Sequence, residues 1–463
     1  MHKGGIPAAG SPLQSRRMGD VGISGLDART LSGEERALVE AVAARRADLV
    51  ALVQQLVRFD TTSRSGPGVP ARDEAALQAA LAERLQDGGF EVDVWEPSPE
   101  DAAGHPLSVE GLDFEGRPQL AARLRGTGGG RSLLLHGHID VVPAHLEDGW
   151  EQDPFDPVVV GGAIVGRGTA DMKGGIAAMV VAAQILAEAG PLRGDLVVCT
   201  NTDEESSGAG GLACVRHGVT ADMTIVPEPS SLEVWPACRG TVYCTVTVPG
   251  RAGHAEQEQL HWRDGGAVNA VDKGRLVCDA LDALAREWRT RADLKHPLLD
   301  PPDIVVTRFV ADAGWHVTIP DRCELDFSVL ILPQQADEHG WTSAAQREVE
   351  AHLRRWCEAD SWLAEHPPQL RWHTEVNPSE TPVDAPHVRA LLGANAALGL
   401  PTTLGGLGSW YDGATFALEA GSPALMYGPR SIDRAHTVGE RVEIEELVAC
   451  AQGLAVAGWR LCR

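Results

Sequence analysis

The chain has 463 residues, too many for a single hydrophobic core, so two domains are expected. Apolar residues at 43% and charged residues at 23% are the balance of a soluble globular protein. A formal net charge of -25 repels phosphate backbones and anionic lipid, so neither nucleic acid nor a membrane is expected as a partner.

The nine cysteines are scattered and form no C-x-x-C pair. Cys199, Cys244 and Cys323 sit inside apolar runs and read as reduced core thiols, which favours a cytoplasmic location. No segment approaches the ~20 continuous apolar residues of a membrane span. Residues 1–34 mix Gly, Pro, Ser and Arg without an apolar h-region, and read as a flexible N-terminal extension, not a signal peptide.

From there the chain alternates. Residues 33–60 repeat apolar positions at helical spacing, and a second amphipathic helix is expected over about 71–88. The strand-like "FEVDVWEP" follows. Then "SLLLHGHIDVV", the helix "MKGGIAAMVVAAQILAEA" and the strand "DLVVCTNT" read as a β-α-β unit. Strands alternating with helices imply an α/β domain with a mixed, mostly parallel sheet.

The middle of the chain has a different order. Strands at 240–250, 303–312, 323–333 and 368–374 enclose helices at 268–288 and 344–360. That succession, β-α-β-β-α-β, is the ferredoxin-like sandwich. A further helix starts at "PHVRALLGANAALG", and "SPALMYGP" returns to a buried strand. The expected architecture is a catalytic domain over 35–238 and 376–463, interrupted by an inserted lid or dimerisation domain over 239–375.

Five stretches put His, Asp or Glu at the end of an apolar strand or in the loop after it. They are "HGHIDVVP" (136–143), "GRGTADMKGG" (166–175), "TNTDEESSGAGG" (200–211), "IVPEPS" (225–230) and "RAHTVGE" (434–440). In an open α/β sheet such loops converge at the carboxyl ends of the strands, where ligands bind. Gathered carboxylates repel one another unless a cation offsets their charge. Imidazole and carboxylate donors without thiolate suit Zn²⁺ or a similar divalent ion. Alone, "DEE" is an ordinary solvated turn and "AHT" an ordinary surface histidine. The ordered set is specific.

On those motifs the sequence resembles the di-zinc deacylases and exopeptidases, which include acetylornithine deacetylase, succinyl-diaminopimelate desuccinylase, aminoacylase and the glutamate-releasing carboxypeptidases. The resemblance runs from about residue 35 to the C-terminus. It implies two Zn²⁺, with Co²⁺ or Mn²⁺ as substitutes. His138 and Glu228 match the ligands of one metal, Glu205 and His436 those of the other, and Asp171 the carboxylate that bridges both. Asp140 matches the aspartate that orients the ligand imidazole, and Glu204 the general base. His254, in "GRAGHAE", matches an inserted-domain histidine that reaches the active site, in dimeric members from the neighbouring subunit. A homodimer is therefore expected.

The glycine-rich "GGLGSWYDGATF" (405–416) resembles a loop lining the substrate cleft, with Asp412 and Gly413 as substrate-binding candidates beside Asn269 and Arg430. Asp412 is equally compatible with a structural role. His136 shares the strand facing of His138 and nothing requires it as a ligand, whereas His145 lies past Pro143 in a loop. The chain departs from the deacetylase and desuccinylase pattern at the substrate anchor. Val317 stands at the Asn position and Leu330 at the Arg position; His316, Arg322 and Arg430 are nearby alternatives. Leu cannot replace a bidentate carboxylate binder. The expected reaction is hydrolysis of an N-acyl amino acid or related amine, with cleavage of a short peptide as the alternative. Retention of Glu204 with all five ligand candidates weighs against a non-catalytic binding relative.

Overall fold

The computed structural model describes residues 30–66 and 68–463; most of the expected 1–34 extension lies outside these residues. The periodic run at 33–60 is two helices, Gly33–Ala44 and Arg46–Val57, separated at Arg45. Ser32 opens the first with a capping box: its hydroxyl accepts the Glu35 N–H at 3.1 Å, and the Glu35 carboxylate accepts the Ser32 N–H at 2.8 Å.

A six-stranded sheet forms the centre, in the order Glu91–Trp95, Gln119–Leu124, Leu196–Asn201, Leu133–His138, Met223–Val226, Ala424–Met426. The first two strands run antiparallel and the last four are mutually parallel. Leu133–His138 and Leu196–Asn201 are buried at every position, as expected for strands covered on both faces. The four parallel carboxyl ends therefore share one edge.

The helix Gly174–Ala189 packs on this sheet with the closing helix Ile444–Cys462. The run Thr169–Ala189 is long and apolar enough to cross a membrane by length and composition, and 89% of its apolar window is buried inside the protein. It is packed as a core helix. All nine cysteines are free thiols, and eight of them are buried.

A separate four-stranded antiparallel sheet has the order Asp303–Val310, Arg322–Ile331, Gly240–Pro249, Gln369–Val376. Helices Ala270–Thr290 and Ser343–Cys357 share a second hydrophobic core with it. Burial alternates strictly along Arg322–Ile331, which sends Cys323, Leu325, Phe327, Val329 and Ile331 into that core. The β-α-β-β-α-β order is observed in full.

Candidate active site

Each site residue sits where the sheet delivers it. His138 ends the strand Leu133–His138. Glu204 and Glu205 follow Leu196–Asn201, Glu228 follows Met223–Val226, and His436 lies in the loop after Ala424–Met426. Asp171 comes from the irregular turn Thr169–Lys173 that opens the buried helix Gly174–Ala189; the Asp171–Met172 peptide is cis. Asp203, Arg430 and His436 have φ of 68°, 64° and 59°. Left-handed backbone in residues with a Cβ costs about 1–3 kcal/mol each and persists where the surroundings over-determine it.

Asp171 joins two groups. Its Oδ1 is 3.1 Å from His138 Nε2 and its Oδ2 is 3.3 Å from His436 Nε2. Glu228 Oε1 lies 3.2 Å from His138 Nε2, and Glu205 Oε1 lies 3.1 Å from His436 Nε2. Glu204 Oε2 is 3.9 Å from His138 Nε2. Donor atoms of His138, Asp171 and Glu205 fall within 4.8 Å of one another, as do those of His138, Glu204 and Glu228.

The electrostatics match such a crowd. Burial pushes Glu204 well up, an effect that Asp412, Glu205 and Glu228 reinforce against His138. Burial likewise pushes Glu228 up to about 7, with Asp171 adding to it. Burial works to lower His138, yet the facing Glu204 and Glu228 raise it. Hydrogen bonding to Asp171 and then Glu205 lifts His436 to about 10. The buried Glu228 Oε2 has no hydrogen-bond partner. Acceptors confronting each other with an orphaned oxygen among them fit divalent cations.

A supporting shell holds these groups. The Asp140 carboxylate accepts the backbone N–H of Glu204 at 3.2 Å and of Glu205 at 3.1 Å. His138 Nδ1 lies 2.9 Å from the Asp140 main-chain oxygen and 3.6 Å from its carboxylate, so imidazole orientation falls mainly to the backbone. The buried Glu440, the last residue of "AHTVGE", accepts the N–H of Ala170 at 2.8 Å and of Asp171 at 3.1 Å, and pairs with Arg167 at 2.5 Å. Arg64 pairs with Asp203 at 2.7 Å, both buried, and braces the loop before Glu204.

The remaining candidates are placed differently. His254 is exposed on the short strand Gly253–His254, which pairs with Thr318–Ile319 outside the four-stranded sheet, its Nδ1 accepting the Glu256 N–H at 3.2 Å. Asn269 caps Ala270–Thr290 by accepting the Val271 N–H at 3.0 Å. Arg430 donates from Nη1 to Glu443 at 2.9 Å. Asp412 is buried against His136 and Asn201. A Cβ on Gly413 would lie 2.2 Å from the Tyr411 ring, which is why that position carries no side chain. The structure thus brings the five ligand candidates, Glu204 and Asp140 together, while the polar side chains of Asn269, Asp412 and Arg430 are engaged within the chain.

Beside the cluster opens a cavity of about 330 Å³, lined by the site carboxylates, His436 and an apolar wall that includes Leu407, Trp410 and Tyr411. Residues 134–457 match the sequence model of peptidase family M20/M25/M40. The chain belongs to this family. Among curated relatives of this M20/M25/M40 protein are two described as N-formyl-4-amino-5-aminomethyl-2-methylpyrimidine deformylases. The one from Halalkalibacterium halodurans is 31% identical over 90% of this chain and 94% of its own; the one from Bacillus subtilis is 27% identical over 89% and 94%. Among solved structures, an aminopeptidase from Bacillus cereus has a TM-score of 0.66 at 20% identity, covering 90% of this chain and 99% of its own. A Bacillus subtilis member described as a dinuclear metal binding peptidase has a TM-score of 0.62 at 16% identity, covering 91% and 99%. At these identities the solved structures establish the shared fold. A dinuclear metal site is the family's, and in this chain His138, Asp171, Glu205 and Glu228 fall in groups of donor atoms that could hold a metal ion, with His436 against Asp171 and Glu205.

Proposed function

We propose that this metallo-hydrolase is a di-zinc deacylase that removes a small N-acyl group, formyl foremost, from an amine such as a formylated aminopyrimidine. The observation that carries a two-metal hydrolytic site is Asp171, whose two oxygens each face a different histidine. The choice of acyl group rests on the two deformylase relatives, which align over nearly the whole chain.

Bound in this site, the cations supply Lewis acidity toward the scissile carbonyl and lower the pKa of water. The chain's own residues do the rest. Asp140 fixes the Glu204–Glu205 backbone, so one carboxylate is left to ligate and the other to work as a base. Glu204 takes the proton of the attacking water and returns it to the departing amine nitrogen. Glu440 and Arg167 keep the Asp171 turn in place.

The test is a substrate panel on the zinc-loaded protein: a formylated aminopyrimidine, N-acetyl and N-succinyl amino acids, and dipeptides. Preferential release of formate supports the reading. Dipeptide cleavage without deacylation would replace it with the peptidase alternative.

A further inference from the structure

Beside the candidate metal donors the cavity lining is mostly apolar, with Leu407, Trp410, Tyr411, Met426 and Ile432, and no Lys or Arg lines the cavity among the described residues. Three arginines border the loops that carry this wall; Arg434 is exposed, and Arg239 and Arg430 make hydrogen bonds within the chain. Arg239 donates to the Gly408 oxygen at 2.7 Å and the Pro301 oxygen at 3.1 Å, and Arg430 donates to Glu443 at 2.9 Å. The Asn and Arg anchor positions implied by the family resemblance carry Val317 and Leu330.

Trp410 also touches the catalytic loop. A Cβ on Gly208 would lie 2.5 Å from Trp410 Cη2, so the indole rests directly on that glycine. Gly208, at φ 75°, closes the turn carrying Glu204 and Glu205, and its N–H donates to the Asp203 oxygen at 2.8 Å. The buried indole N–H has no hydrogen-bond partner, so packing alone sets the ring's position.

We propose that Trp410 is the specificity-determining residue of this cavity: its indole receives a flat aromatic ring on the amine that hydrolysis releases, and the cleft selects against a carboxylate beside the scissile nitrogen. This rests on the deacylase reading. An aromatic ring gains stacking energy on an indole beyond the area it buries. A carboxylate placed there loses water and meets no Lys or Arg in the cavity lining.

Three N-formyl probes separate the terms: N-formylphenethylamine; N-formylphenylalanine, which differs by one carboxylate; and N-formylhexylamine, which lacks the ring. With the metal-loaded full chain, kcat/KM for the phenethylamine probe is expected about fivefold above the hexylamine probe. It is expected roughly tenfold or more above the phenylalanine probe. Trp410→Leu should bring the first ratio close to unity through KM, with metal content unchanged, and Trp410→Phe should restore most of it. Equal turnover of the ring-bearing and ringless amines, or a ratio that survives in Trp410→Leu, overturns the role of Trp410. Preference for the phenylalanine probe overturns the selection against a carboxylate. If no N-formyl probe is hydrolysed while dipeptides are, the deacylase reading itself fails and this inference falls with it.

Discussion

His136 Nε2 lies 3.1 Å from Asp412 Oδ2, with both side chains buried, and Asn201 donates to the same oxygen at 2.6 Å. Burial opposes a charge on His136, but hydrogen bonds to Asp412 and its neighbour Cys199 lift it to about 9. The contact ties two parallel strand ends to the loop that presents Trp410 and Tyr411. Asp412→Asn leaves every candidate metal donor in place but disrupts the buried hydrogen bonds from His136 and Asn201, a loss of about 1–3 kcal/mol. A lower melting temperature and a raised KM at unchanged metal content are expected. Wild-type values of both would remove Asp412 as the anchor of that wall.

Glu204→Gln keeps the side chain's size and removes its basicity. Turnover should fall roughly 10²–10⁴-fold while zinc content stays normal. Turnover within threefold of wild type would contradict the role of Glu204.

Asp140→Asn leaves one acceptor oxygen and turns an amide N–H₂ toward one of the two backbone N–H groups now accepted at 3.1–3.2 Å. The outer-shell loss should lower kcat about 10–100-fold, and a weaker hold on Glu205 should make the second metal easier to strip with chelator. Titration of the as-purified variant with chelator, followed by activity, reads both effects.

His387 is fully buried, and neither ring nitrogen has a partner. Burial lowers its pKa from 6.5 to about 4. The unfolded chain therefore binds a proton at His387 over a pH range in which the folded chain does not. Its contribution is fully present above pH 6.5 and is lost as pH falls toward 4, by on the order of 3 kcal/mol at most. His387→Leu should flatten the stability–pH curve between pH 6.5 and 4. An unchanged slope in urea melts across that range would rule this out.

Of the candidate donors, His138, Glu205 and Glu228 sit at or just past the end of an apolar strand, so local pattern and chain order point to them, whereas Asp171 and His436 come from a turn and a loop further along the chain. The inserted sandwich was legible for a similar reason: its strands alternate and its helices are amphipathic. What pattern does not reveal is set by distant partners. Asp412 finds His136 across 276 residues, and its role as an internal anchor depends on that contact. Glu440 stands inside a quoted motif, yet its task is defined by Ala170 and Asp171 on another turn. The strand Gln119–Leu124, QLAARL, is short and only partly alternating, and it becomes a strand by pairing with Glu91–Trp95 and Leu196–Asn201. The break at Arg45 interrupts a helical period that runs on through 33–57, so periodicity alone reads a single helix.

The central claim is a two-metal site joined by Asp171, and metal analysis of wild type beside Asp171→Ala tests it most directly. The wild-type chain should carry two equivalents of a divalent ion, with zinc the expected species, and Asp171→Ala should lose both to dialysis together with amide hydrolysis. A single equivalent in an active wild-type protein, or two equivalents retained by Asp171→Ala, would contradict the account.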